Sequence, residues 1–103
     1  MDVKIIKRIV PEGLVFNALI PITDIADKDA FIEAVREESV SHGEDFFETT
    51  VHYMREGFRT KEIPGKIILQ VLYTGDTEWC KAKITTDAQN TLNQLAQLAK
   101  KIG

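Results

Sequence analysis

Apolar and polar positions alternate with a period of two through residues 66–85, KIILQVLYTGDTEWCKAKIT, with Gly75-Asp76 at the centre. That pattern predicts a β-hairpin, and glycine at the first turn position suits a two-residue type II′ turn. In this register Thr74 faces Thr77, Leu72 faces Trp79, Gln70 faces Lys81 and Ile68 faces Lys83. One face then carries Ile67, Leu69, Val71, Tyr73, Cys80, Ala82 and Ile84, and is expected to be core. The other carries Ile68, Gln70, Leu72, Thr74, Thr77, Trp79, Lys81 and Lys83. It sets the single tryptophan beside two lysines on the outside of a sheet.

A second hairpin is expected at the start, where VKIIKRIV and LVFNALI flank Pro11-Glu12-Gly13. Proline followed by a left-handed glycine fits a three-residue loop, which makes Val10 face Leu14, Arg8 face Phe16 and Ile6 face Ala18. Both faces of these strands hold large aliphatics, as in strands central in a sheet or covered on two sides. Pro21 stops the second strand. Asp27 then caps a helix whose apolar stripe is Ala30, Phe31, Ala34 and Val35. His42-Gly43 punctuates, and Ser41 with Glu44 has capping-box spacing. Phe46, Phe47, Thr50, Val51, Met54 and Phe58 recur at steps of three and four, so a second helix is favoured over residues 46–57. Thr49, Thr50, Val51 and Tyr53 also support a rival strand reading. Residues 59–65, RTKEIPG, read as a connector. Thr86 and Gln89 form a capping box for a last helix with Ala88, Leu92, Leu95, Ala99 and Ile102 on one stripe.

The resulting order is β-β-α-α-β-β-α: one α+β domain over 1–103, a two-layer sandwich of a mostly antiparallel four-stranded sheet with helices mainly on one face. The chain of 103 residues is long enough for one modest core. One cysteine forms no internal disulfide, and Cys80 falls on the core face, where it reads as a small hydrophobe. The first residues, MDVKIIKRIVPEG, do not form a signal peptide, and the longest uncharged run, 13–23, is too short to span a membrane. The expectation is a cytoplasmic protein. The net charge of −3 is unevenly spread: residues 24–48 hold nine acids and two bases, and the remainder holds seven acids and eleven bases. That split predicts negative helices and a mildly positive sheet.

Motifs for catalysis are missing. Glu48, His52 and Glu56 stack on one face if residues 46–57 are helical, but two carboxylates and one histidine on an open helix are too few to hold a metal tightly. Gly65-Lys66 lacks the earlier glycine and the following hydroxyl of a phosphate loop, and no GxGxxG, CxxC, HExxH or GxSxG occurs. The chain therefore reads as a non-enzymatic protein-binding module, such as an adaptor, an inhibitor or a small regulatory subunit. No cofactor or metal is expected. Its candidate partner-binding residues are Ile68, Leu72, Trp79, Lys81 and Lys83, aromatic and aliphatic anchors rimmed by lysine, and self-association as a homodimer through this face is the favoured form. A weak single-stranded nucleic-acid binder is the alternative: Trp79 would stack on a base, Lys81 and Lys83 would meet phosphates, and Lys4, Lys7 and Arg8 would extend the surface. A pI near 5.3 weighs against it. A small enzyme with a site assembled across a dimer is the third reading.

Overall fold

The computed structural model describes residues 3–41, 45–47 and 52–101. These form β1 (Lys4–Val10), β2 (Gly13–Pro21), a 3-10 turn (Ile22–Asp24), α1 (Lys28–Ser41), β3 (Asp45–Phe47), β4 (His52–Ile63), β5 (Lys66–Gly75) and α2 (Lys81–Lys101). The strands make one antiparallel sheet in the order β1-β2-β5-β4-β3, four long strands and a three-residue edge strand. α1 packs against β4, and α2 packs against β2 and β5. The expected α+β two-layer sandwich, with helices on one face of an antiparallel sheet, is what the chain adopts.

Alternation in the two central strands decides which face is covered. Leu14, Phe16, Ala18 and Ile20 of β2 and Ile67, Leu69, Val71 and Tyr73 of β5 are buried beneath the helices. Phe31 and Val35 of α1 and Ile84, Ala88, Leu92, Leu95 and Ala99 of α2 complete the core. Asp27 caps α1 as expected, its Oδ1 accepting from Ala30 N–H at 3.1 Å. The Ala26 N–H donates to the Ala99 carbonyl at 2.9 Å, fastening the entry to α1 onto the end of α2.

Three local expectations are corrected. The first hairpin pairs Val10 with Gly13, Arg8 with Val15 and Ile6 with Asn17, so its loop is Pro11-Glu12 alone. Gly13 belongs to the strand because it lies close against β5. A Cβ there would sit 2.0 Å from the Tyr73 carbonyl oxygen, which only glycine avoids. The shift of one residue exchanges the faces of β1 relative to β2.

The described residues of 46–57, namely 46–47 and 52–57, are strand and not helix. The described part runs into β4, where Tyr53 and Arg55 face the core and then Phe58 does. A bulge between Arg55 and Phe58, with Gly57 at φ 112°, inserts one residue into the alternation. Core positions therefore stand three apart, an interval that imitates a helix. The Glu48–His52–Glu56 stack fails with it: Glu56 instead accepts from the Thr74 hydroxyl at 2.9 Å. Glu48, Thr50, Val51, His42 and the Glu44 member of the second capping box lie outside the described residues.

The strand expected after Gly75-Asp76 is a turn followed by helix. The Cys80 N–H donates to the Asp76 carbonyl and the Ile84 N–H to the Cys80 carbonyl, at 2.9 and 2.8 Å. Cys80 and Ile84 are both buried, and a spacing of four fits a strand face and a helix face equally. Ala82, between them, separates the two: it is exposed. Thr86 lies inside the helix, its hydroxyl donating to the Ala82 carbonyl at 3.1 Å, and is no cap. The stripe runs without interruption from Cys80 to Ala99, so the helix begins before the local capping signal.

Leu95 sits in the middle of that stripe, buried against the sheet layer. Leu95→Ala is expected to cost ~2–5 kcal/mol in a denaturant melt, the range of buried leucine truncations. A loss below about 1 kcal/mol would place α2 outside the cooperative core.

Candidate functional site

Among the described residues, the helices cover one side of the sheet, and the other side is open. Its cross-strand rows follow from the register. Lys4, Leu19, Ile68 and Lys61 form one row, and Ile6, Asn17, Gln70 and Arg59 the next; Arg8, Val15 and Leu72 form a third. The two central strands thus supply aliphatics. The strands outside them supply Lys4 and Arg8 on one side and Arg59 and Lys61 on the other, all exposed. Strands lie ~4.8 Å apart, so the β1 and β4 cations stand about 14 Å from each other across the apolar strip.

Asn17 and Gln70 interrupt the strip without leaving it needy. The Gln70 amide donates to Asn17 Oδ1 at 2.9 Å across the β2–β5 pair. On one side of this bridge, Ile6, Leu19 and Ile68 floor a shallow depression of about 590 Å³, walled by Arg8, Arg59 and Lys61. Among these, Ile6 is 40% exposed, a large aliphatic with solvent as its neighbour. On the other side Val15 and Leu72 meet the bulge, where Glu56 is exposed, and the register sets a second acid, Asp45, beyond it at the β3 edge.

The structure brings together two of the five residues expected at the site and separates the other three. Ile68 and Leu72 lie on the open face, paired with Leu19 and Val15. Trp79 is 77% exposed in the turn that joins β5 to α2, outside the sheet. Lys81 and Lys83 are exposed in the first turn of α2, in the helical layer. Leu72 therefore never faces Trp79, and the aromatic-plus-lysine patch is dissolved. Lys7 is also on the helical side of β1, opposite Phe16. Arg59 and Lys61 were hidden by reading 59–65 as a connector. Their alternation with Thr60 and Glu62 was the available signal.

A second polar group lies between the layers. Arg55, 7% exposed, points from β4 to the α2 side, its Nη1 3.5 Å from Asp87 Oδ2 and 3.3 Å from the Thr91 hydroxyl. Its guanidinium lies 5.2 Å from the centre of the Phe58 ring. The Tyr73 hydroxyl donates to the same Asp87 oxygen. Tyr73 packs edge-on to Phe16 at 5.7 Å and beside Tyr53 at 6.0 Å. Burial first, and then the bond to Asp87, push its hydroxyl above the ordinary tyrosine range. The cluster touches no groove on the open face, and its chemistry is that of a cross-layer clamp: β4, β5 and α2 are joined through one carboxylate.

Among the described residues no three His, Cys, Asp or Glu side chains converge as a metal would need. No described helix is long and apolar enough to cross a membrane. No family model, no curated protein and no solved structure matches the chain.

Removing the carboxylate of Asp87 takes from the buried Arg55 guanidinium the anion it meets on α2. Asp87→Ala is expected to cost about 3 kcal/mol, the lower end for breaking a buried pair because Asp87 retains some contact with water. A denaturant melt showing less than ~1 kcal/mol would make the clamp peripheral. The Tyr73 hydroxyl gives a pH signature of its own. Its pKa is raised in the folded state, so its stabilisation is complete below the unfolded value of about 10 and declines as pH rises beyond it. The stability difference between wild type and Tyr73→Phe should therefore shrink above about pH 10. A difference that stays constant to about pH 11 would mean that Tyr73 ionises as freely in the fold as out of it.

Proposed function

We propose that the chain is a non-enzymatic protein-binding module, and that its binding surface is the open sheet face centred on Leu19, Ile68, Val15 and Leu72. One observation carries this reading: the two central strands are apolar on both sides, and the helices cover only one of them. Aliphatics gathered on an uncovered face, and rimmed by charge, have the composition of an interface.

The charges also bear on the partner. In a face-to-face pair of copies, Lys4, Arg8, Arg59 and Lys61 of one chain would meet the same four cations of the other. Like charges brought together at a closing interface oppose it, so a partner of different sequence is favoured over a homodimer. The nucleic-acid alternative is weakened by position. The four long strands carry no aromatic residue on the open face, the register sets Phe47 at the short β3 edge away from the cationic rows, and Trp79, the one offered for stacking, is elsewhere. Cations without a stacking platform bind single strands poorly.

The test uses two variants at separated places. Ile68→Asp places a charge in the middle of the open face, and Trp79→Ala removes the exposed ring of the β5–α2 turn. Each is checked for an unchanged melting profile and used with wild type to capture proteins from the source cell, followed by hydrogen-exchange mapping of the complex. Expected is a protein retained by wild type and Trp79→Ala, lost by at least ~30-fold with Ile68→Asp, as interface anchors behave, and protecting β2 and β5. Retention that depends on Trp79 and ignores Ile68 overturns the open-face reading, as does salt-sensitive oligonucleotide binding that exceeds protein binding.

A further inference from the structure

We infer that the occupant of the open face is an acidic amphipathic α-helix contributed by a partner protein, an inference that rests on the protein-binding reading above. The shape and the charge of the face point to the same object. The apolar strip is two strands wide and is flanked along its length by cations on both sides: Lys4 and Arg8 on β1, Arg59 and Lys61 on β4. The ~14 Å between these rails accommodates one helix, whose diameter with side chains is ~10–12 Å, lying along the strands.

The lengths agree as well. Val15 to Leu19 on β2 is four residues of strand, ~14 Å. That distance equals about nine residues of helix, so apolar side chains at i, i+3 or i+4, and i+7 would meet Leu19 with Ile68 at one end and Val15 with Leu72 at the other. Between them the Asn17–Gln70 bridge is already hydrogen-bonded and asks nothing of the ligand beyond contact. Acids flanking the apolar stripe on both sides would lie over the two rails. Cations on both sides of the strip, with the two described acids of the face, Asp45 and Glu56, set toward its bulge and β3 end, select for that arrangement and against a basic helix.

A second copy does not supply such a helix. α1 carries Asp29, Glu33 and Glu37, but its apolar residues Phe31 and Val35 are buried in its own core. α2 likewise spends its stripe on the sheet, and its described last turn is basic, with Lys100 and Lys101. An extended nucleic-acid strand would use the rails but would leave the strip against sugars and bases with no aromatic to stack on.

The probe is a synthetic peptide of about 18 residues, long enough to hold helix, with leucines along one stripe and glutamates on both sides of it. It is compared with a scrambled peptide of the same composition, a version with lysine in place of each glutamate, and an oligodeoxythymidine. Fluorescence anisotropy reads affinity, and amide chemical shifts locate the site. The acidic peptide should bind at least ~10-fold more tightly than the scrambled and lysine versions, shifting β2 and β5 amides. The pair of substitutions Lys4→Glu and Lys61→Glu, one on each rail, should reverse the preference toward the lysine peptide. Ile68→Asp should weaken binding by ~10-fold or more, and Trp79→Ala should leave it unchanged. Equal binding of the scrambled peptide, indifference to the rail reversal, or displacement of the peptide by the oligonucleotide at lower concentration overturns the inference. If the peptide fails while a cellular protein is still lost with Ile68→Asp, the helical occupant is overturned and the protein-binding surface stands. If Ile68→Asp affects neither, both fall.

Discussion

The pairing of β2 with β5 is the constraint on which the rest of the molecule depends. These strands are central in the sheet, and each is apolar in both parities: Phe16, Ala18, Leu69 and Val71 on one side, Val15, Leu19, Ile68 and Leu72 on the other. Hydrophobicity alone does not choose which side becomes core. A slip of one residue between them would exchange the faces and bring Asn17 or Gln70 toward the helices. The choice is made by the specific partners. Asn17 meets Gln70 only in the observed register, where the two amides satisfy each other, and Gly13 admits the Tyr73 carbonyl oxygen only where it stands opposite Thr74.

The helical layer then adds a second lock from the opposite side. Tyr73, at the end of β5, passes its hydroxyl to Asp87 of α2, and Arg55 of β4 reaches the same carboxylate. Three elements meet at one oxygen beside an aromatic group of Phe16, Tyr53 and Tyr73. The bulge at Glu56-Gly57 serves this arrangement. In a regular strand, residues three apart such as Arg55 and Phe58 would point to opposite faces of the sheet. With the bulge, the guanidinium reaches Asp87 and still lies against the Phe58 ring. The clamp and the open face are consequences of a single strand geometry, since the bulge that turns Phe58 inward also turns Arg59 and Lys61 outward.

The layers and the core of the sheet were legible in the sequence because strand alternation over Lys66–Tyr73 and the stripe Ala88–Leu92–Leu95–Ala99 are long and uniform. The uneven charge was legible in large part: of the described acids of 24–48, Asp24, Asp27, Asp29, Glu33, Glu37 and Glu38 fall in the 3-10 turn, α1 and its approach, Asp45 falls in β3, and the long strands of the open face are basic. What was not legible had period ambiguities. Cys80 and Ile84 satisfy both a two-residue and a four-residue repeat, so the turn signal at Gly75-Asp76 drew a hairpin where a helix follows. Arg55 and Phe58 are spaced as in a helix only because a bulge lies between them. The site is most sensitive to these ambiguities. Alternation sets Ile68 and Leu72 on the open face, whereas Trp79, Lys81 and Lys83 reach it only if a strand follows Asp76, and a turn and helix do. Arg59 and Lys61 belong to the face, but the Pro64-Gly65 turn signal and the polar run before it resemble a connector.

Charges along exposed strands have two uses, and the open face allows them to be told apart. Lysines and arginines on an edge such as β1 discourage other strands from pairing with it, a protection against aggregation that any sheet protein can use. For that purpose, and for solubility, mixed signs serve as well as one sign. Here the described strand residues of the open face carry five cations, Lys4, Arg8, Arg59, Lys61 and Lys66, against two acids, Asp45 at the β3 edge and Glu56, which is engaged by Thr74 at the bulge end. Two of the cations, Arg59 and Lys61, are on β4 beyond His52–Met54, the stretch that β3 pairs, so among the described residues they too stand at an edge of the sheet. Lys61 is, moreover, placed in the row of Leu19 and Ile68, opposite Lys4. A chain with net charge −3 thus concentrates positive charge on the one sheet surface its helices do not cover. Edge protection therefore applies to Lys4, Arg8, Arg59 and Lys61 alike, but it does not call for an excess of one sign; recognition of an anionic, partly apolar surface does.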